Sequence, residues 1–152
     1  MTNYPAQVVV KVLYQEFPEL AKKVDDKIKE RLPNKILHDQ NLISDLIQEF
    51  CTLERIEIGK LKNENNSRNL SRTRKVLFAL ILKFYQPELL SKLIVGLVKP
   101  SISKKLKESI QVSNKTFSND IRTAMHHYHL YKDFKENVDQ LYNKLIEKYG
   151  ND

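Results

Sequence analysis

Along the chain, apolar residues recur at spacings of three and four, and strict alternation with polar residues is rare. That period belongs to helices with one buried face, so the pattern predicts an all-α protein, a multi-helix bundle. Pro5 can start a first helical turn, followed by Val8, Val12 and the run at 14–17. The β-branched Val8, Val9 and Val10 leave a strand open as the alternative there. Pro18 can open a second helix with Leu20, Val24 and Ile28 at spacing four, and Pro33 with Asn34 breaks it. Asp39 or Asn41 can cap a long helix bearing Leu42, Ile43, Leu46, Ile47, Phe50 and Leu53, with Gly59 near its end.

Residues 62–70 are polar and Asn-rich and predict a loop or linker. Ser71 can cap the helix that follows. Its wide apolar face of Val76, Leu77, Leu80, Ile81 and Phe84 marks it as the central core helix. Pro87 opens a helix running through Leu97, in which Gly96 would let a neighbour approach closely. Pro100 ends it, and Ser101 caps a short helix with Ile102, Leu106 and Ile110. After a turn at 111–113, one helix carries Phe117, Ile121, Ala124 and Tyr128 inside, and a last one carries Phe134, Val138, Leu141 and Leu145. The expected organisation is an N-terminal helical region over 1–61, serving dimerisation or partner binding, a polar loop at 62–70, and a helical domain over 71–152.

Composition narrows the class. The 152 residues suffice for a core without staples. Only three glycines occur, which excludes a phosphate-cradling glycine loop and a dinucleotide fingerprint. Cys51 is the single cysteine, so no intramolecular disulfide forms and a reducing compartment is the simplest setting. The longest apolar stretch, 76–82, falls far short of the roughly 20 residues that cross a bilayer. The first residues lack the charged and apolar regions of a secretory signal. A cytoplasmic protein without membrane contact is expected.

Charge is unevenly placed. Residues 1–59 hold 8 Lys/Arg against 10 Asp/Glu, and residues 108–152 hold 6 against 7. Residues 60–107 hold 12 basic residues and only two acids, Glu64 and Glu88, so the net +7 is a property of the middle third. Such a segment attracts polyanions through long-range attraction and counterion release. A merely solvated, lysine-rich surface is the alternative.

The most informative stretch runs from Ile110 through Gln111-Val112-Ser113-Asn114-Lys115-Thr116-Phe117-Ser118-Asn119-Asp120 to Ile121 and Arg122. Val112 would plug a turn into the core, and Ser113 would cap the next helix. Phe117 and Ile121 would bury against the preceding helix. Lys115, Ser118, Asn119, Arg122 and His126 then form one outward stripe without an acid. All five side chains can donate hydrogen bonds, and Asn and Arg can bridge base edges bidentately.

This stretch resembles the turn and second helix of helix-turn-helix DNA-binding domains, over about residues 101–131. The resemblance implies that the helix after Ser113 enters a major groove while the helix before it crosses the backbone. Base contacts would come from Asn114, Lys115, Ser118, Asn119, Arg122 and His126. Two positions depart from the pattern: Gln111 stands where glycine is usual, and Lys107 stands where a small residue is usual. A helical hairpin with a polar outer face is the alternative.

A second resemblance concerns layout. A basic loop with Ser67-Arg68 and Ser71-Arg72-Thr73-Arg74, a core helix, a helix-turn-helix and a final amphipathic helix together look like the C-terminal duplex-binding domain of the bacterial chromosomal replication initiator. That family's Arg-Asp-His-Thr-Thr signature is replaced here by Ser113-Asn114-Lys115-Thr116-Phe117, so origin recognition is not carried over.

Arginine and hydroxyl groups at a helix start suit phosphate. Arg68, Ser71, Arg72, Arg74 and Lys75, with Lys104 and Lys105, are the expected phosphate contacts. A solvated helix start is the alternative, although positive charge there opposes the helix dipole.

Other constellations carry less chemistry. His126, His127 and His129 invite a metal, but zinc would need further ligands, and surface histidines beside Tyr128 and Tyr131 are the simpler reading. Cys51 sits among apolar neighbours, and no catalytic set is identifiable, so neither an enzyme nor a cofactor is expected. The expected function is a helix-turn-helix DNA-binding protein, a transcriptional regulator or a replication or mobile-element accessory factor. It would act on double-stranded DNA and could dimerise through its N-terminal helices. The alternative is a helical protein-interaction module without nucleic-acid binding.

Overall fold

A computed structural model describes residues 3–33, 35–62 and 67–149. Among these there are eight α-helices and no strands. The chain divides into two units after residue 34, so the helix over 43–54 belongs to the second unit and not with the first two helices.

The first unit is a helical hairpin of α1 (Ala6–Glu16) and α2 (Pro18–Arg31), joined at Phe17. Pro18 starts α2 because its missing N–H is one the helix would leave unsatisfied anyway. The valine run is helical. Tyr14 donates a hydrogen bond to Asp25 across the hairpin (3.0 Å). Ala21 is the one buried residue of the two helices, and Val8, Val12, Phe17, Leu20, Val24 and Ile28 are all exposed.

The second unit is built around α4 (Arg68–Tyr85). Residues 76–82 of this helix are buried on every side, because α3 (Ile43–Glu54), α5 (Pro87–Leu90), α7 (Asn114–Leu130) and α8 (Lys132–Tyr149) pack around it. Each large apolar side chain sealed this way contributes on the order of 1.5–3 kcal/mol. The remaining helix, α6 (Pro100–Ile110), packs on α3 through a face that includes Ile102, Leu106 and Ile110. The segment before α3 is pinned by backbone groups: Leu37 N–H donates to Phe84 O (2.8 Å), and Tyr85 Oη donates to Asp39 O (2.7 Å).

Several boundaries differ from the sequence reading. Ser67, not Ser71, caps α4, accepting from the Leu70 amide (3.2 Å), so residues 68–70 are already helical and Ser71 lies inside the helix. The remainder of the expected polar loop, 63–66, lies outside the described residues, as does Asn34. The helix expected to run from Pro87 to Leu97 stops at Leu90, where Lys92 turns left-handed (φ 57°). The segment beyond is irregular, with Val95 and Leu97 bare to solvent. At Gly96 an added Cβ would meet only the Leu89 side chain at ordinary distance, so no close approach requires glycine there. Pro100 opens α6, and no side chain caps it, which places Ser101 within the helix.

Candidate nucleic-acid interface

The turn between α6 and α7 forms from the residues the motif singles out. Gln111 takes the left-handed conformation (φ 52°), the geometry that favours glycine. Val112 is buried next to it. Ser113 caps α7 by accepting from the Thr116 amide (3.2 Å), and its hydroxyl donates to Thr116 Oγ1 (3.1 Å). Lys107 reaches across the turn. Its ammonium donates to Asn114 Oδ1 (3.0 Å) and stands 5.6 Å from the Phe117 ring centroid. The long side chain thus bridges the two helices where a small residue would let them close.

Helix α7 turns Phe117, Asp120, Ile121 and Ala124 inward. Phe117 packs edge-on against Phe78 of α4, with centroids 5.3 Å apart, so the core helix, and not only the preceding helix, receives it. The opposite face carries Asn114, Lys115, Ser118, Asn119, Arg122 and His126, and all six are exposed. Within this stripe Arg122 donates to Asn119 Oδ1 (3.0 Å), which orients both side chains.

The α4 set divides. Arg68 and Arg72 are exposed, and Ser71 and Lys75 are half-buried. Arg74 is a correction. It is 2% exposed, its Nε donates to Asp120 Oδ2 (2.5 Å), and a terminal nitrogen donates to Leu61 O (3.1 Å). A guanidinium enclosed and hydrogen-bonded in this way cannot reach a phosphate; it holds α7 on α4. Lys104 faces Glu108 on its own helix, and Lys105 donates to Asn41 Oδ1 (3.4 Å).

The first turns of α4 line a cleft of about 410 Å³ with the end of α7 and the start of α8. Arg68, Ser71, Arg72 and Lys75 supply its polar wall. His127, Tyr131 and Phe134 supply an aromatic wall. The His127 ring meets Tyr131 and Phe134 edge-on, at 4.9 and 5.5 Å. Burial and then the cations Lys75, His126 and Arg72 hold His127 below the usual imidazole range, against the opposing pull of Asp133. Asp133 also lines the cleft and pairs with Arg72 (3.2 Å), with both side chains more than half exposed. A hydrogen bond from the Phe134 amide and the Arg72 guanidinium keep its carboxyl below the usual carboxylate range.

Two polar arrangements escape sequence reasoning. Asp120 is one; its signal was available, since it lies three residues after Phe117 and four before Ala124, on the face those residues bury. The other is Asp139, which accepts from Lys83 (2.5 Å), Tyr128 (2.6 Å) and Lys135 (2.7 Å) where α4, α7 and α8 meet. Nothing local in the sequence links residues 56 positions apart. Among the described residues, no three His, Cys, Asp or Glu side chains converge as metal ligands, and no helix is long and apolar enough to cross a membrane.

Comparison with protein-family models, with curated proteins and with solved structures gives no match for this chain.

Proposed function

We propose that the protein binds double-stranded DNA through the outward face of α7, as a helix-turn-helix regulator or a replication or mobile-element accessory factor. The observation that carries this reading is the exposed stripe of Asn114, Lys115, Ser118, Asn119, Arg122 and His126, which contains no acid. Its geometry suits a major groove, whose edges accept from Arg, Lys and Asn. Beside the stripe, His127 lines one cleft with Arg68, Arg72, Lys75 and Asp133. Arg68, Ser71, Arg72 and Lys75 are suited to phosphates, which fix register without reading sequence.

A salt titration of binding to random duplex DNA, single-stranded DNA and RNA tests the reading. The expected result is duplex retention whose logarithmic affinity falls linearly and steeply with salt. Absence of duplex binding at physiological salt, or a preference for RNA, overturns it.

A second reading is favoured by the α1–α2 hairpin. Two helices of 11 and 14 residues with a single buried alanine do not make a core, and their exposed valines, Phe17 and Leu20 suit an apolar partner surface. In this reading the protein is an interaction module, and the hairpin docks on a protein or a second copy. It predicts a stable assembly in sedimentation that Val12→Glu dissolves, with no duplex binding.

A further inference from the structure

The cleft at the start of α4 has more than a phosphate contact needs. A contact to a regular duplex backbone requires only cations on a convex surface. Here three cations and a hydroxyl, from Arg68, Arg72, Lys75 and Ser71, line a half-open cleft of about 410 Å³, together with Asn69 and Asp133, and its other wall is aromatic. That volume falls in the range of small-ligand sites, roughly 300–1,000 Å³. The aromatic wall is built: His127 is fixed by edge contacts to both Tyr131 and Phe134, and Tyr131 remains half exposed.

We propose that this cleft seats a single nucleotide unit, its phosphate on Arg68, Arg72, Lys75 and Ser71 and its base against His127 and Tyr131. The two halves of the ligand match the two walls. Arginine forks and a hydroxyl recognise phosphate oxygens, and aromatic faces stack on any base. The unit comes either from a free mononucleotide or from an unpaired, 5′-phosphorylated end of a strand, which present the same chemistry. The inference deepens the nucleic-acid reading, on which it rests for the strand-borne case.

Among the described residues Asp133 is the one acid lining the seat, and its pairing with Arg72 must be exchanged for the phosphate. The pair is solvent-exposed, and such pairs hold weakly. Removing the carboxylate therefore favours the ligand.

The experiment is calorimetric titration of the full chain with adenosine 5′-monophosphate, adenosine and inorganic phosphate, and with duplexes carrying either a blunt end or an unpaired 5′-phosphorylated overhang. Imidazole NMR is followed alongside. Adenosine 5′-monophosphate or the overhang duplex should bind at least tenfold more tightly than its control: adenosine and phosphate for the first, the blunt duplex for the second. Whichever of the two succeeds identifies the source.

Lys75→Ala and Tyr131→Ala should each weaken that binding several-fold, and Asp133→Asn should strengthen it several-fold. The His127 imidazole, surrounded by Lys75 and Arg72 of α4, His126 of its own helix and Asp133 of α8, should titrate at higher pH in the complex. Nucleotide binding no tighter than that of phosphate together with no preference for the overhang, or a His127 titration unmoved at saturation, overturns the proposal.

Arg122→Ala separates the two ideas, because it should lower duplex binding and leave adenosine 5′-monophosphate untouched. Duplex binding with an empty cleft sinks the seat alone. A filled cleft without duplex binding sinks the DNA reading alone.

Discussion

Arg74 and Asp120 form an ion pair in the interior of the second unit, joining α4 to α7 directly beneath the exposed stripe. Two charges are withdrawn from water here, and each is tolerated only because the other is present. The pair fixes which face of α7 points outward. Asp120→Leu or Arg74→Met alone should destabilise the protein by about 3–5 kcal/mol, since either leaves its partner buried and uncompensated. The double variant Arg74→Met, Asp120→Leu should lose much less than the sum, retaining mainly the cost of the Leu61 carbonyl left without its donor. Denaturant unfolding of the four proteins measures the coupling; additive losses would contradict it.

Gln111 offers the opposite change. A side chain in the left-handed region costs about 1–2 kcal/mol, offset in part by the extra freedom glycine has when unfolded. Gln111→Gly should stabilise by about 0.5–1 kcal/mol, seen as a higher melting temperature, while the stripe and its binding stay unchanged. A destabilised variant would mean that the Gln111 side chain has a role beyond the turn.

Asp139 sets an acid limit. Burial alone would raise its carboxyl, but hydrogen bonds from Lys135, Lys83 and Tyr128 prevail and hold it below the usual carboxylate range. A carboxyl lowered in the folded state stabilises fully above its unfolded value, ~3.9, and that contribution disappears as pH falls through the folded value. Stability should therefore decline below about pH 4. Asp139→Asn should cost about 1.5–3 kcal/mol near neutrality and show a shallower acid decline. Thermal melts across that range of pH check both statements.

The division of labour between helices is measurable as well. Arg122→Ala should cost about 1–3 kcal/mol on a preferred sequence and narrow the gap to random DNA. Arg72→Ala should weaken all duplexes alike and reduce the salt slope by about 1. Identical behaviour of the two variants on specific and random DNA would remove the distinction.

Helical period made the helices of the second unit legible, above all α4, where Val76, Leu77, Leu80, Ile81 and Phe84 are buried as their spacing predicts. It also made the outward face of α7 legible, because burying Phe117, Ile121 and Ala124 leaves only one side for the polar residues. Period says nothing of what a face meets. The stripe of α2, Leu20, Val24 and Ile28, has the spacing of a buried face and is exposed. Nor does local chemistry reveal a partner distant in sequence. Arg74 reads like its neighbours Arg72 and Lys75 until Asp120, 46 residues away, is placed against it. The helix lost after Leu90 shows a further limit, since apolar spacing across 89–97 could not compete with the left-handed turn at Lys92.

The position of α4 has one more consequence. Its first turn is capped by a single serine and stands among exposed arginines, while its middle and last turns are sealed in the core. One rod of 18 residues thus spans the extremes of local opening, from fraying at the start to the global unfolding limit at the end. Amide hydrogen exchange should slow by orders of magnitude from Ser71 to Phe84, and the fast end is the end that carries Arg68 and Arg72.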